Sequence, residues 1–168
     1  VEAIVIASPQ ETHRDIALAA FELGKPVLCE KPLGQNLADS RVMVDAAEQA
    51  KAINMVGFNY IRTPASQLAR QIIASGEIGA ITYLRGEHTE DFLADPELPS
   101  TWRTKGRANG NMGDLAPHII NAATALAGPI RSLMADIQIV HKTRVGPNGP
   151  EAVTNDDQAQ IMCRFDNG

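Results

Sequence analysis

Two short stretches of this sequence carry residues that could do chemistry. The first, Val27–Pro32, is an apolar run that ends in a Glu-Lys pair and a proline. The second places Asp114 and His118 four residues apart after a glycine-rich loop. In open α/β sheets, ligands bind beyond the carboxyl ends of the strands, which makes Lys31 a candidate catalytic residue. The alternative is a solvated Glu30-Lys31 pair in a strand-to-helix loop.

The spacing of Asp114 and His118 is suited to acid-base chemistry. On a helix, it places both side chains on one face, one turn apart. Pro117 is tolerated in the first helical turn, so a helix is expected to begin near Asp114, and Gly110 and Gly113 would let the loop approach a ligand closely. A carboxylate beside an imidazole orients it for general acid-base catalysis. The alternative is a capping aspartate and a half-buried structural histidine.

The elements that position Lys31 follow an alternating pattern of strands and helices. Apolar runs indicate strands at 4–7, 27–29 and 54–58, and helical periodicity indicates helices at 10–23 and 36–50. The continuous apolar run of the first strand predicts burial on both faces. The first helix is expected to turn Ile16, Ala17, Ala20 and Phe21 to the core. A β-α-β-α-β order predicts a parallel sheet, here one half of a doubly wound Rossmann fold.

The second part of the chain follows a different pattern. Helices are predicted at 65–74 and 115–126, strands at 81–88, 130–141 and 157–165, a polar loop at 90–112 and a turn-rich excursion at 146–150. This order predicts an α+β domain with an open, mostly antiparallel sheet. We therefore expect two domains, residues 1–61 and 62–168.

The composition limits the classes of protein to which this chain can belong. The chain has 168 residues and a net charge of -5, with acidic and basic residues interspersed, which argues against general binding to nucleic acids or membrane surfaces. Cys29 and Cys163 are expected to be free buried thiols in a reducing compartment, which favours the cytoplasm. The chain starts within an apolar strand and stops after one, so we expect it to be a piece of a longer protein.

Further polar residues are candidates for a site. Trp102-Arg103 can cover a planar or anionic ligand or anchor a loop, and His13 can face a cleft or cap local structure. A zinc site built from Asp114, His118, His88 and Glu90 lacks the spacing of known zinc motifs, and no metal is predicted.

Together these motifs resemble the Gfo/Idh/MocA oxidoreductases, the family of glucose-fructose oxidoreductase and myo-inositol dehydrogenase. The resemblance spans nearly the whole chain but does not include the glycine-rich cofactor fingerprint of the family. It rests on five segments: Ala7-Ser8-Pro9 with His13, Gly24–Leu33, Val56–Tyr60, Trp102-Arg103, and Gly113-Asp114 with His118.

The resemblance implies an NAD- or NADP-dependent dehydrogenase that oxidises a secondary hydroxyl of a sugar, polyol or inositol. His118 would be the base with Asp114 as its partner, and Lys31, before a cis Lys31-Pro32 bond, would stabilise the developing alkoxide. His88, Lys31, Asp114 and His118 would contact substrate. The residues lining the cofactor would be Ala7, Ser8, Pro9, His13, Glu30, Lys31, Trp102 and Arg103.

The resemblance also implies a homo-oligomer, a dimer or tetramer formed through the antiparallel sheet. Two other functions stay open at this point. One is a regulator of the same fold that senses cofactor or sugar without catalysis. The other is a cofactor-assisted elimination or glycoside cleavage with transient oxidation of the sugar.

Overall fold

The protein is described by a computed structural model that covers residues 1–167, with the side chain of Arg107 outside the described part. The last residue of the second predicted domain, Gly168, also lies outside it. The chain divides into two compact units, Val1–Phe58 and Asn59–Gly168. The division falls three residues before the predicted boundary because the turn at Tyr60–Arg62 packs against helices of the second unit.

The first unit contains three parallel strands in the order β1-β2-β3 and two helices, as predicted. Ile4 pairs with Val27, and Val27 pairs with Asn54, in one continuous register. The elements are β1 (Ile4–Ile6), a 3₁₀ turn (Gln10–Thr12), α1 (His13–Glu22), β2 (Val27–Cys29), α2 (Leu37–Gln49) and β3 (Asn54–Val56).

Local sequence explains where the helices of the first unit begin and end. At the start of α2, the side chain of Asn36 accepts a hydrogen bond from the backbone N–H of Asp39, 2.9 Å away. After α1, Gly24 adopts a positive φ of 63°, which a residue without Cβ does at little cost.

One face of the parallel sheet carries the core of the first unit. A single cluster joins Ile6, Val27 and Cys29 of the strands to the buried residues of both helices, Ala17, Ala20, Phe21, Met43 and Ala47. On the opposite face, Val5 is 68% exposed and Met55 49% exposed. The prediction that the first strand is buried on both faces is therefore wrong for this chain, because α1 and α2 both pack against the same face. Ile16 was predicted to face the core and is exposed instead.

The second unit combines helices with antiparallel strands. Its helices are α3 (Pro64–Ser75) and α4 (Ala116–Ala127), and α4 is preceded by a π-helical turn (Asn111–Leu115). Short 3₁₀ turns lie at Tyr60–Arg62, Trp102–Thr104 and Arg107–Asn109. The strands are β4 (Ile130–Gln138), β5 (Thr143–Gly146), β6 (Gly149–Ala152) and β7 (Gln158–Phe165).

The strands of the second unit form two separate antiparallel ladders, β4 with β7 and β5 with β6. The hairpin β5-β6 occupies the turn-rich excursion, where no strand was predicted. The strand predicted at 81–88 is absent, because a strand needs a neighbouring ladder and this segment pairs with none of the described residues. The fold class, a Rossmann-type parallel sheet followed by a domain with antiparallel sheet, is confirmed.

The described residues contain no helix that is both long enough and apolar enough to cross a membrane.

Candidate active site

Lys31 lies immediately beyond β2, at the carboxyl edge of the parallel sheet. The backbone N–H of Glu30 still donates to the carbonyl of Ile6 in β1, 2.8 Å away, so the ladder continues to this point. Lys31 itself is half-buried, and its backbone N–H donates to the Glu30 carboxylate at 3.2 Å. The Lys31-Pro32 peptide bond is cis, as the resemblance implies.

The Glu30 carboxylate lies against the residue that follows β3. A Cβ on Gly57 would come within 2.9 Å of Glu30 Oε1, closer than real Cβ contacts allow. Gly57 therefore lets the carboxylate occupy this position beside Lys31. Burial raises the pKa of the neighbouring Cys29 thiol to about 11, and the negative charge of Glu30 makes a smaller contribution in the same direction. This cysteine therefore stays protonated and unreactive at neutral pH.

His13 holds the carboxyl ends of β1 and β2 together. Its side chain is only 1% exposed, and its two ring nitrogens lie 3.0 Å from the Ser8 carbonyl and 3.1 Å from the Pro32 carbonyl. The Ser8 hydroxyl also lies 2.6 Å from that of Thr12. Of the two possibilities that the sequence left open for His13, this geometry favours the structural one.

In the second unit, the His118 imidazole is buried in the first turn of α4. It stacks on the Tyr60 ring, with centroids 4.2 Å apart and planes 24° from parallel. Stacking of this kind fixes the plane of the imidazole, as an acid-base group requires. Tyr60 was part of the motif that carried the resemblance, but no pattern in the sequence predicted that its ring lies on His118.

Asp114 lies in the π-helical turn, one turn before His118, and its carboxylate is bound by Arg103. Arg103 Nη1 is 2.5 Å from Asp114 Oδ2. The same guanidinium lies over the Trp102 ring, 4.1 Å from its centroid, and 5.3 Å from that of Phe92. A guanidinium between a carboxylate and aromatic rings has its orientation fixed.

The loop before Asp114 is held by polar side chains from the segment between β6 and β7. Asp156 accepts a hydrogen bond from the Met112 backbone N–H at 2.6 Å, and Asn155 donates to the Arg103 carbonyl at 2.7 Å. Side chains at Gly110 and Gly113 would overlap Asp156 and the Ala108 backbone. The two glycines therefore allow the loop to pack closely against Asp156 and Ala108.

His88 lies in the irregular segment after α3, beside Glu90. Its Nε2 is 3.0 Å from Glu90 Oε1. Both residues line a cleft of about 810 Å³ within the second unit, together with Asp114 and Arg103. Among the described residues, no three His, Cys, Asp or Glu side chains are grouped so that they could hold a metal ion.

The structure therefore places the predicted site residues in two groups. In the second unit it brings together Trp102, Arg103 and Asp114, with His118 one turn away. In the first unit it brings together, at the carboxyl edge of the sheet, Ala7, Ser8, Pro9, His13, Glu30 and Lys31. Sequence reasoning assigned no role to Phe92, Asn155 or Asp156. The only signal for the last two was a polar Asn-Asp-Asp run before an apolar strand.

Comparison with known proteins defines the class. Residues 1–58 match the model of an oxidoreductase family with an NAD-binding Rossmann fold, and residues 66–168 match that of the Gfo/Idh/MocA C-terminal domain. The chain therefore belongs to the Gfo/Idh/MocA oxidoreductase family.

The similar proteins include sugar dehydrogenases. Levoglucosan dehydrogenase of Pseudarthrobacter phenanthrenivorans is 38% identical over 100% of this chain and 47% of its own length. An NAD-binding oxidoreductase structure from Klebsiella pneumoniae is 40% identical, with a TM-score of 0.94 over 100% of this chain and 46% of that one. A levoglucosan dehydrogenase complex with NADH and levoglucosan is 38% identical, with a TM-score of 0.93 and the same coverage. The chain spans about half the length of these relatives.

Proposed function

We propose that the full-length protein containing this chain is an NAD- or NADP-dependent dehydrogenase that oxidises a secondary hydroxyl of a sugar, polyol or inositol. The observation that carries the proposal is the Asp114–His118 turn. It presents a carboxylate held by Arg103 and, one turn later, an imidazole whose plane is fixed by Tyr60. The proposal is supported by membership of an oxidoreductase family and by the similarity to sugar dehydrogenases.

Oxidation of a secondary alcohol removes a hydride from carbon and a proton from the hydroxyl group. His118 takes the proton, since an imidazole is the side chain best matched to proton transfer near neutral pH. Asp114 acts as the partner of His118, and the Arg103 guanidinium fixes the position of the Asp114 carboxylate. The buried position of His118 in α4 and its stacking on Tyr60 fix the orientation of its ring.

Lys31 orients the reacting hydroxyl and stabilises the negative charge that develops on its oxygen. A positioned ammonium group is most effective where water is scarce, because the local dielectric constant is low. Its backbone is fixed by the β2 ladder and by the contact with the Glu30 carboxylate. The buried strand β2 thus sets the position of the Lys31 backbone.

The carboxyl edge of the parallel sheet fits a nicotinamide cofactor. Ala7, Pro9 and Glu30 are exposed there, at the end of the sheet where such folds bind ligands. The bound cofactor would accept the hydride. Ser8 and Lys31 would contact it from the same edge, and the hydrogen bonds of His13 would hold that edge together. Trp102 and Arg103 are proposed as further cofactor-binding residues on the ground of the family resemblance.

The first unit is thus proposed as the cofactor-binding half, and the second as the substrate and oligomerisation domain. Assembly into a dimer or tetramer through the antiparallel sheet is supported by apolar side chains on its surface. Met134 and Met162 pair across β4 and β7 and are 72% and 75% exposed. Free thiols at Cys29 and Cys163 agree with a cytoplasmic location.

The test is to mix the full-length protein with NAD or NADP and a panel of sugars and polyols that includes levoglucosan and myo-inositol. The absorbance of the reduced cofactor is followed over time. Net cofactor reduction by at least one of them is the expected result. Product formed without net reduction would instead indicate elimination or glycoside cleavage. Cofactor binding without any turnover would indicate a regulator.

A further inference from the structure

The Tyr60 ring lies against the imidazole of His118, the proposed base. The two ring centroids are 4.2 Å apart, and the ring planes are 24° from parallel. Both residues belong to the second unit, Tyr60 in the 3₁₀ turn that precedes α3 and His118 in the first turn of α4. The stack is therefore a contact within one compact unit.

The proposed base has to accept a positive charge where little water can stabilise it. His118 is 7% exposed, and burial disfavours the charged form of an imidazole. The carboxylate of Asp114, one turn earlier, is already paired with the Arg103 guanidinium at 2.5 Å, which offsets much of its negative charge. Proton transfer to His118 therefore benefits from a further group that favours the imidazolium.

The face of the Tyr60 ring supplies negative electrostatic potential at this imidazole. An aromatic ring is negative over its face and positive at its edge, and a cation within about 6 Å of the ring centroid is attracted to that face. Neutral aromatic rings instead favour offset or edge-on contacts, with centroids about 4.5–7 Å apart. The closer, nearly parallel stack of Tyr60 and His118 suits a charged imidazolium better than a neutral imidazole.

Other titratable or charged groups lie on the elements around this imidazole. They include Asp114 in the π-helical turn, Arg62 in the 3₁₀ turn, Arg70 on α3, and His88 with Glu90 in the irregular segment after α3. The proposed mechanism adds Lys31. A substitution at Tyr60 changes none of these charges, so a difference between Tyr60 variants reports the effect of the ring itself.

We propose that the face of the Tyr60 ring stabilises the imidazolium that forms when His118 takes the proton of the substrate hydroxyl. This inference rests on the proposed dehydrogenase function, and Tyr60 is a positioning residue that acts through His118. In the oxidation direction, kcat/KM rises with pH as His118 loses its own proton. A group that favours the imidazolium moves this rise to higher pH, so removal of the aromatic face moves it to lower pH.

The test is a series of full-length variants in which the ring at position 60 keeps its shape and loses its negative face. Tyr60→Phe keeps the face and should behave as the wild type. Phenylalanines with an increasing number of ring fluorines weaken the face stepwise. Along this series, the midpoint of the NMR titration of His118 and the rise of kcat/KM should both move to lower pH. Tyr60→Leu should move them by about half a unit to one unit, the scale of one cation–π contact.

A His118 midpoint that stays constant from Tyr60→Phe through the fluorinated rings would overturn this inference and leave the dehydrogenase function standing. A lower kcat in Tyr60→Leu without a shift of the midpoint would also overturn it, because the ring would then only orient the imidazole. The fluorinated series gives this answer even if Tyr60→Leu does not fold. If no sugar or polyol reduces the cofactor, the dehydrogenase function fails, and the NMR titration still decides whether the ring stabilises the imidazolium.

Discussion

The two compact units fix the positions of their candidate site residues by different interactions. In the first unit, a continuous cluster of apolar side chains holds the strands whose ends carry Lys31. Among the described residues of the second unit, Thr104, His118, Arg144 and Asn155 are buried and polar, and three of them donate hydrogen bonds to loop carbonyls. The difference shows that the position of a strand end can be fixed by burial of apolar side chains. The path of an irregular loop is fixed instead by hydrogen bonds from side chains to its backbone.

The strongest test of this difference is removal of core volume from the first unit. Ile6 is 2% exposed and Val5 is 68% exposed on the opposite face of the same strand. Ile6→Ala should lower the local free energy of unfolding by about 2–5 kcal/mol through lost burial and a cavity. Hydrogen exchange of the α1 amides in the 168-residue chain, in which Val5 is exposed, measures it. Val5→Ala is the matched control, and an equal effect of both would disprove the one-sided core.

Alkaline pH should weaken the same core through Cys29. Burial raises the pKa of this thiol from 9.0 to about 11 in the folded state, so the unfolded state loses its proton first. Its contribution to stability is complete below pH 9 and is lost as pH rises from 9 to 11, to a total of about 3 kcal/mol. Cys29→Ala should flatten this part of the stability curve, and Cys163→Ala should not. A curve unchanged by Cys29→Ala would contradict the assignment.

A smaller effect is expected from Arg144 in the second unit. This residue is 3% exposed and donates to the carbonyls of Leu93 at 2.5 Å and Asp95 at 2.7 Å. Arg144→Met should cost about 2 kcal/mol, because two carbonyls lose a charged donor. Exchange in residues 90–112 should accelerate while α1 stays protected. Arg164→Met, on the exposed side of β7, is the control. Equal acceleration in α1 would contradict a local role.

The same difference explains what could be predicted from the sequence. The β-α-β-α-β order and the helix beginning near Asp114 follow from local periodicity, turn residues and the tolerance for Pro117, and all are present in the structure. The strand predicted at 81–88 is wrong because alternation alone supplies no ladder partner. The one-sided core likewise depends on where helices pack, which periodicity does not encode.

Contacts within the candidate site were less predictable. Arg103 and Asp114 are separated by 10 residues of irregular loop, and Tyr60 and His118 lie on opposite sides of that loop in sequence. Their contacts depend on the path of the loop, which Asn155 and Asp156 fix from 40 or more residues further along the chain. No local pattern contains that information.

We propose that Lys31 and His118 are the residues that carry out the oxidation. The most direct test is to measure kcat for cofactor reduction in the full-length variants Lys31→Met and His118→Ala. Lys142→Met, at an exposed position, is the control, and the melting temperature of each variant shows whether it is folded. Lys31→Met and His118→Ala should each lower kcat by roughly 10²-fold or more, the scale of acid-base contributions, while Lys142→Met should retain wild-type turnover. A folded Lys31→Met or His118→Ala protein with kcat within about threefold of the wild type would contradict it.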